Sequence, residues 1–166
     1  MQRMAKQNGR ARADASIPRS SCTCGSLRRA SRRVSQFYDA ALAPIGIKST
    51  QYAILSELER RSAEGVTMRE LAAAMVMDRS TLGHNLRPLQ RDRLLALRLR
   101  RQDRRKRYVE LTAQGRAVLR RARRTWRIAQ GRFEKLFGKQ HAAALRTALW
   151  HIANIEELNS LIIADD

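Results

Sequence analysis

The apolar positions change their period several times along the chain, and each change marks an element. From about Ser26 to Ala43, Leu27, Ala30, Val34, Phe37, Tyr38, Ala41 and Leu42 recur at helical spacing, until Pro44 and Gly46 end the run. A second helix over Ser49–Arg61 points Tyr52, Leu55 and Leu58 inward, and Ser62–Val66 reads as a loop with a short strand at Val66. Thr67-x-x-Glu70 is a capping box that starts a short helix with Leu71, Ala72 and Met75 on its buried side. Asp78 offers a second N-cap and opens a helix through roughly Asp92, with Leu82, Leu86 and Leu89 spaced four and three apart. Two short helices joined by a tight turn predict a helix-turn-helix. Pro88 falls inside the second, where it removes a hydrogen bond and should bend the axis.

The period then switches to two. Leu95, Leu97 and Leu99 alternate with Ala96, Arg98 and Arg100, predicting a strand with one buried face, and Tyr108–Leu111 predicts a second. Between them Arg101–Lys106 reads as a hydrophilic hairpin tip, so the pair forms a wing. Thr112 caps a long helix whose apolar residues Leu119, Ala122, Trp126, Ala129, Phe133 and Leu136 repeat 3, 4, 3, 4, 3, as in a coiled-coil seam. Gly138 breaks it, and one last helix carries Leu145, Leu149, Ile152, Ile155, Leu158 and Ile162. The expected fold is mainly α: a winged helix-turn-helix at 49–111, flanked by helical segments at 22–48 and 112–166, behind a basic arm at 1–21. Two long seams exceed what one small domain covers internally, and a second copy of the chain would cover them.

Charge narrows the partner. Of 166 residues, 34 are basic and 15 acidic, a net of +19. Residues 79–132 alone hold 18 basic against 3 acidic side chains, and residues 1–33 hold 9 against 1, whereas 34–78 and 133–166 are each slightly negative. Arginine supplies 29 of the 34 cations, and its planar fork suits phosphate and guanine. Nucleic acid is the leading partner, ahead of an anionic membrane surface. No apolar run approaches the roughly 18 residues of a membrane span. With no secretory pattern behind the basic N-terminus, the expected location is the cytoplasm and the expected state of both cysteines reduced.

Asp78-Arg79-Ser80-Thr81-Leu82, Leu86-x-x-Leu89, Asp103-x-Arg105 and Leu111-Thr112-x-x-Gly115, in this order, resemble the signature of MarR-type regulators. The resemblance covers roughly residues 22–163. It implies an obligate homodimer on double-stranded DNA, with intertwined first and last helices. It also implies repression, or less often activation, at palindromic operators, relieved by small aromatic anions, metals or oxidants. With the helix from Arg79 as recognition helix, Ser80 and Thr81 are candidates for phosphates or base edges, and His84, Asn85 and Arg87 for bases. The alternative for any of these is a side chain turned inward or along the surface. In the family the wing's carboxylate orients a guanidinium into the minor groove; here the pair is Asp103 and Arg105, flanked by Arg101 and Arg104. The alternative is a simple turn ion pair. Arg120, Arg121, Arg123, Arg124 and Arg127 on the long helix either flank DNA or are solvated.

Cys22 and Cys24 stand at the start of the first helix. Cys24-x-x-Leu27, with Tyr38 fourteen residues on, is similar to the hydroperoxide-sensing branch of the family, in which tyrosines hydrogen-bond a cysteine on the first helix. Arg28 departs from that branch, which has a tyrosine there. Small cysteines without a role are the alternative, and Cys-x-Cys as half a metal site a weaker one, because His84, His141 and His151 are scattered. No cofactor is expected, and the effector otherwise is a small molecule between the dimer helices and the winged domain. No phosphate loop, HExxH or GxSxG points to an enzyme. The competing function is a sequence-neutral basic protein that coats nucleic acid.

Overall fold

The computed structural model describes residues 21–61, 65–100 and 103–160; at 100, 103–105, 159 and 160 the description stops at the backbone. Two compact units divide the chain after Val34. The first holds the opening turns of α1 (Thr23–Leu42), where Leu27 and Val34 are half-buried and the arginines exposed. α1 begins ahead of the expected Ser26 because Cys22 supplies a start. Its carbonyl accepts from the Ser26 amide at 3.1 Å and its Sγ from the Gly25 amide at 3.3 Å.

The second unit contains the rest: α2 (Ser49–Arg61), β1 (Val66–Thr67), α3 (Met68–Ala74), α4 (Arg79–Arg91), β2 (Leu95–Arg100), β3 (Asp103–Leu111), α5 (Ala113–Phe137), α6 (Lys139–Ala153) and the short α7 (Glu157–Ser160). The fold is mainly helical, with one antiparallel sheet in the order β1-β3-β2. Leu42, Ile54, Leu55, Leu58, Leu71, Leu82, Leu86, Leu89, Val109 and Leu119 are buried together, so every element from the end of α1 to the first half of α5 contributes to one core. Tyr52 and Met75 pack at its edge rather than inside it, and Ile54, not singled out by the periodicity, lies within.

Local chemistry sets the boundaries. The Asp39 carboxylate accepts from the Ser49 amide at 2.6 Å and so starts α2. Both arms of the Thr67–Glu70 capping box close, and Asp78 caps α4. Between α3 and α4, Val76 sits at φ 50°, a left-handed conformation that a β-branched residue resists. α4 continues through Pro88, whose neighbours Leu86 and Leu89 are buried on the core side. Thr112 caps α5 by accepting from the Gly115 amide at 2.9 Å, while its own hydroxyl donates to the Arg93 carbonyl at 2.7 Å. Gly115 is required there: a Cβ would lie 1.9 Å from the Leu94 carbonyl oxygen.

Three expectations need correction. β3 starts at Asp103, not Tyr108, so the paired hairpin is longer than the alternation indicated. Leu99 is exposed at 63 %, because beyond Leu97 the hairpin extends past the core that Leu95 enters. The last helix is not continuous: the Asn154 side chain donates to the Trp150 carbonyl at 2.7 Å and its amide turns to His151, which ends α6. Ile162 and the arm at 1–20 lie outside the described residues.

Candidate nucleic-acid interface

α4 presents two unlike faces. Leu82, Leu86 and Leu89 seal one side against the core. On the opposite side Ser80, His84, Arg87 and Arg91 succeed one another at four, three and four residues, all exposed. His84 and Arg87 make no hydrogen bond or ion pair among the described residues, so both heads are available to a ligand. Thr81 and Asn85 lie on the flank, and Asn85 Nδ2 donates to the Thr81 carbonyl at 2.8 Å. Arg91, absent from the sequence-based candidates, is paired with Asp92 at 2.9 Å on the surface.

Ser80 and Thr81 are organised by the cap. Their hydroxyls donate to the two Asp78 carboxylate oxygens at 2.6 Å each, and the Thr81 amide adds a bond at 2.7 Å. The Ser80 hydroxyl, then the Thr81 hydroxyl and amide, hold the Asp78 carboxyl far below its ordinary range, so it stays ionised. A phosphate accepts only. Either hydroxyl must therefore rotate away from Asp78 to donate to it.

The wing's backbone pairs across Arg98↔Tyr108 and Leu99↔Arg107, with an irregularity before Arg100↔Asp103. That register places Asp103 at the outer end of β3. Arg101 lies outside the described residues, and Asp103, Arg104 and Arg105 are described only as β3 backbone. At the wing's base Arg98 pairs with Glu110 at 3.3 Å.

Two further features were not evident from spacing. A cleft of about 730 Å³ opens between the α1–α2 corner and α4, with Asp39, Ile47, Gln51, Asn85 and Pro88 among its walls. A second, of about 410 Å³, lies between α3, the start of α4 and β3. Only the charge count hinted at the latter, since its cations come from α3, α4 and β3 and meet only in the folded chain.

Cys22 and Cys24 are exposed on the first unit, and neither is in a disulfide among the described residues. In the second unit, the Tyr38 hydroxyl donates to Gln130 Oε1 at 2.6 Å. Gln130 Nε2 donates to Glu134 at 2.8 Å, and Arg146 donates to the same oxygen at 3.1 Å. Burial, then the Glu134 charge, raise the Tyr38 pKa above its ordinary value, keeping it a neutral donor. Its ring stacks on Trp126, which stacks in turn on Tyr52. Among the described residues no group of three or more His, Cys, Asp or Glu could hold a metal ion, and no helix is long and apolar enough to cross a membrane.

Comparison with known proteins places this geometry. A MarR family model matches residues 45–106, from the α1–α2 corner through the wing tip. The transcriptional regulator MosR of M. tuberculosis, solved in complex with DNA, is 34% identical over 82% of this chain and 97% of that one, with a TM-score of 0.73. The chain belongs to the MarR family. A MarR-family transcriptional regulator from Rhodococcus sp. RHA1 is 25% identical over 82% of this chain and 99% of its own, with a TM-score of 0.68. CouR from Rhodococcus jostii RHA1, solved with p-coumaroyl-CoA, is 25% identical over 82% and 94%, with a TM-score of 0.69. No curated protein matches. The α4 face and the wing therefore belong to a transcriptional-regulator fold, and the MarR members solved with DNA and with a ligand are its structural neighbours.

Proposed function

We propose that the chain is a homodimeric, sequence-specific DNA-binding regulator that represses from a palindromic operator in the cytoplasm and is released by a small ligand or an oxidant. The observation that carries the reading is the outward face of α4, polar throughout, with Arg87 and Arg91 as its cations, and set on a leucine base that fixes its direction. Such a helix fits a major groove, while the wing reaches the adjacent minor groove. Residues 49–111 act as the DNA-binding domain; 22–48 and 112–166 hold the two copies together. Of the α4 residues, Ser80, His84 and Arg87 face the groove directly, and Thr81 and Asn85 contact its edge.

Selection from random duplexes tests this. The expected product is a palindrome with half-sites about one helical turn apart, bound with a steep salt dependence of some 6–10 phosphate contacts per dimer. A coating protein would select nothing and hold all duplexes alike. On the selected operator Arg105→Ala should lose about 1–3 kcal/mol, mostly at A·T-rich flanks, and Arg87→Ala should relax base preference. Asp103→Ala should resemble Arg105→Ala; tighter binding would remove the orienting role assigned to Asp103.

For release, the exposed Cys24 thiol, four residues before Arg28 on α1, supports an oxidant. Sulfenic acid there would add a polar group at a dimer helix and alter the spacing of the recognition helices. Operator binding before and after stoichiometric organic hydroperoxide, in wild type and Cys24→Ser, decides it. Unchanged affinity of the oxidised wild type would shift the effector to the cleft lined by Asp39 and Asn85.

A further inference from the structure

We propose that the cleft between the base of the wing and the helix-turn-helix is a seat for one DNA backbone phosphate, on the strand that divides the major from the minor groove. The proposal rests on the DNA-binding reading above and adds a subsite to it. The cleft, about 410 Å³, is lined by Arg69 of α3, Arg79 at the first position of α4, and Lys106 and Arg107 of β3, together with Thr67 and Glu70. Four cations from three elements thus face one carboxylate. That carboxylate is already engaged, since Glu70 Oε2 accepts from the Thr67 amide at 2.8 Å and the Thr67 hydroxyl at 2.7 Å. Arg69, Arg79 and Arg107 are exposed and make no hydrogen bond or ion pair among the described residues. Three guanidinium groups from three elements thus line one cleft with no carboxylate bonded to them among the described residues.

Groove geometry supplies an anion for them. With α4 in the major groove and the hairpin in the minor groove, the sugar–phosphate strand between the two grooves passes between α4 and β3. The cleft lies between those elements. Its walls carry guanidinium and ammonium groups rather than Asn or Gln, so it suits a phosphodiester and reads no base. Because its cations span α3, α4 and β3, occupancy also fixes the angle between wing and recognition helix.

The test uses the full-length dimer with Arg79→Ala and Arg107→Ala, on the selected operator and on an unrelated duplex across a salt series. Each variant should weaken both duplexes by a similar factor, leave their ratio unchanged, and reduce the slope of log K against log salt by about 1 per subunit. Arg107→Lys should restore most of the slope. In an operator scanned with methylphosphonates, neutralising one position per half-site should weaken wild type and leave Arg107→Ala unaffected. An unchanged slope, a collapsed operator-to-unrelated ratio, or additive losses at every scanned position overturns the proposal. So does equal competition by inorganic phosphate at constant ionic strength, which would mark a site for the free anion. Failure of the wider reading looks different: wild type would show no operator preference, and the slopes on unrelated DNA would still judge the cleft.

Discussion

The two ends of this fold treat the same residue types in opposite ways. In α4, leucines at helical spacing disappear: Leu82, Leu86 and Leu89 are buried by their own chain. In the last turns of α5, along α6 and on α7, large apolar residues stay in the open, with Leu136 83 % and Trp150 73 % exposed and Leu149, Ile152 and Leu158 exposed as well. The winged half completes its core alone; the C-terminal helices do not. Periodicity therefore says that a face will be covered, and only the packing says by what. Isolated exposed apolar residues are ordinary, but a row along consecutive helices calls for another surface; in the homodimer proposed above, a second copy of these helices would provide it.

The largest expected effect comes from spoiling that row. Leu136→Asp with Trp150→Asp should halve the sedimenting mass to the 19.0 kDa of one chain. Operator affinity should fall on the order of 10²–10⁴-fold, because the second half-site is no longer engaged intramolecularly. The circular dichroism spectrum should persist, since neither side chain enters the core. A wild type already monomeric at micromolar concentration would break the comparison and leave the row to some other partner.

How far the residues alone reached follows the same division. The Ser49–Arg61 helix, the caps at Thr67, Asp78 and Thr112, and the inward Leu82, Leu86 and Leu89 were all readable, because each depends on neighbours within a turn or two. β3 beginning at Asp103, the exposed Leu99 and the cationic cleft were not, since they depend on strand register. The break at Asn154 required knowing that its side chain would take a helix carbonyl rather than face solvent. Of the candidate contacts, Ser80, His84 and Arg87 came to one face, whereas Asn85 turned to the flank.

A second substitution probes the self-sufficient half. At Gly115 α5 presses against the turn that follows α4, and the Leu94 carbonyl occupies the place of a side chain. Gly115→Ala must push two backbones apart, and should cost about 1–3 kcal/mol or somewhat more. Chemical denaturation would show a lower midpoint with an unchanged slope. At Gly131 of α5 a Cβ meets nothing within 4 Å, so Gly131→Ala serves as the control and should be neutral or stabilising. Equal effects at both positions would mean that the winged half is as loosely packed as the C-terminal one.

The smallest effect has an unexpected sign. Val76, in the turn of the helix-turn-helix, holds φ at 50° with its side chain 72 % exposed. A left-handed conformation costs a residue with a Cβ roughly 1–2 kcal/mol, and a β-branched one is poorly suited to it. Glycine adopts it freely but loses about 0.5–1 kcal/mol more backbone entropy on folding. Little burial is surrendered, so strain relief outweighs entropy and Val76→Gly should gain up to about 1 kcal/mol. For a chain of this size that raises the melting temperature by about 2–4 °C, with operator affinity unchanged. A fall of similar size would show the isopropyl group packed against something beyond its own chain. The DNA-binding half would then carry an uncovered apolar contact of its own, and the contrast with the C-terminal helices would be one of degree.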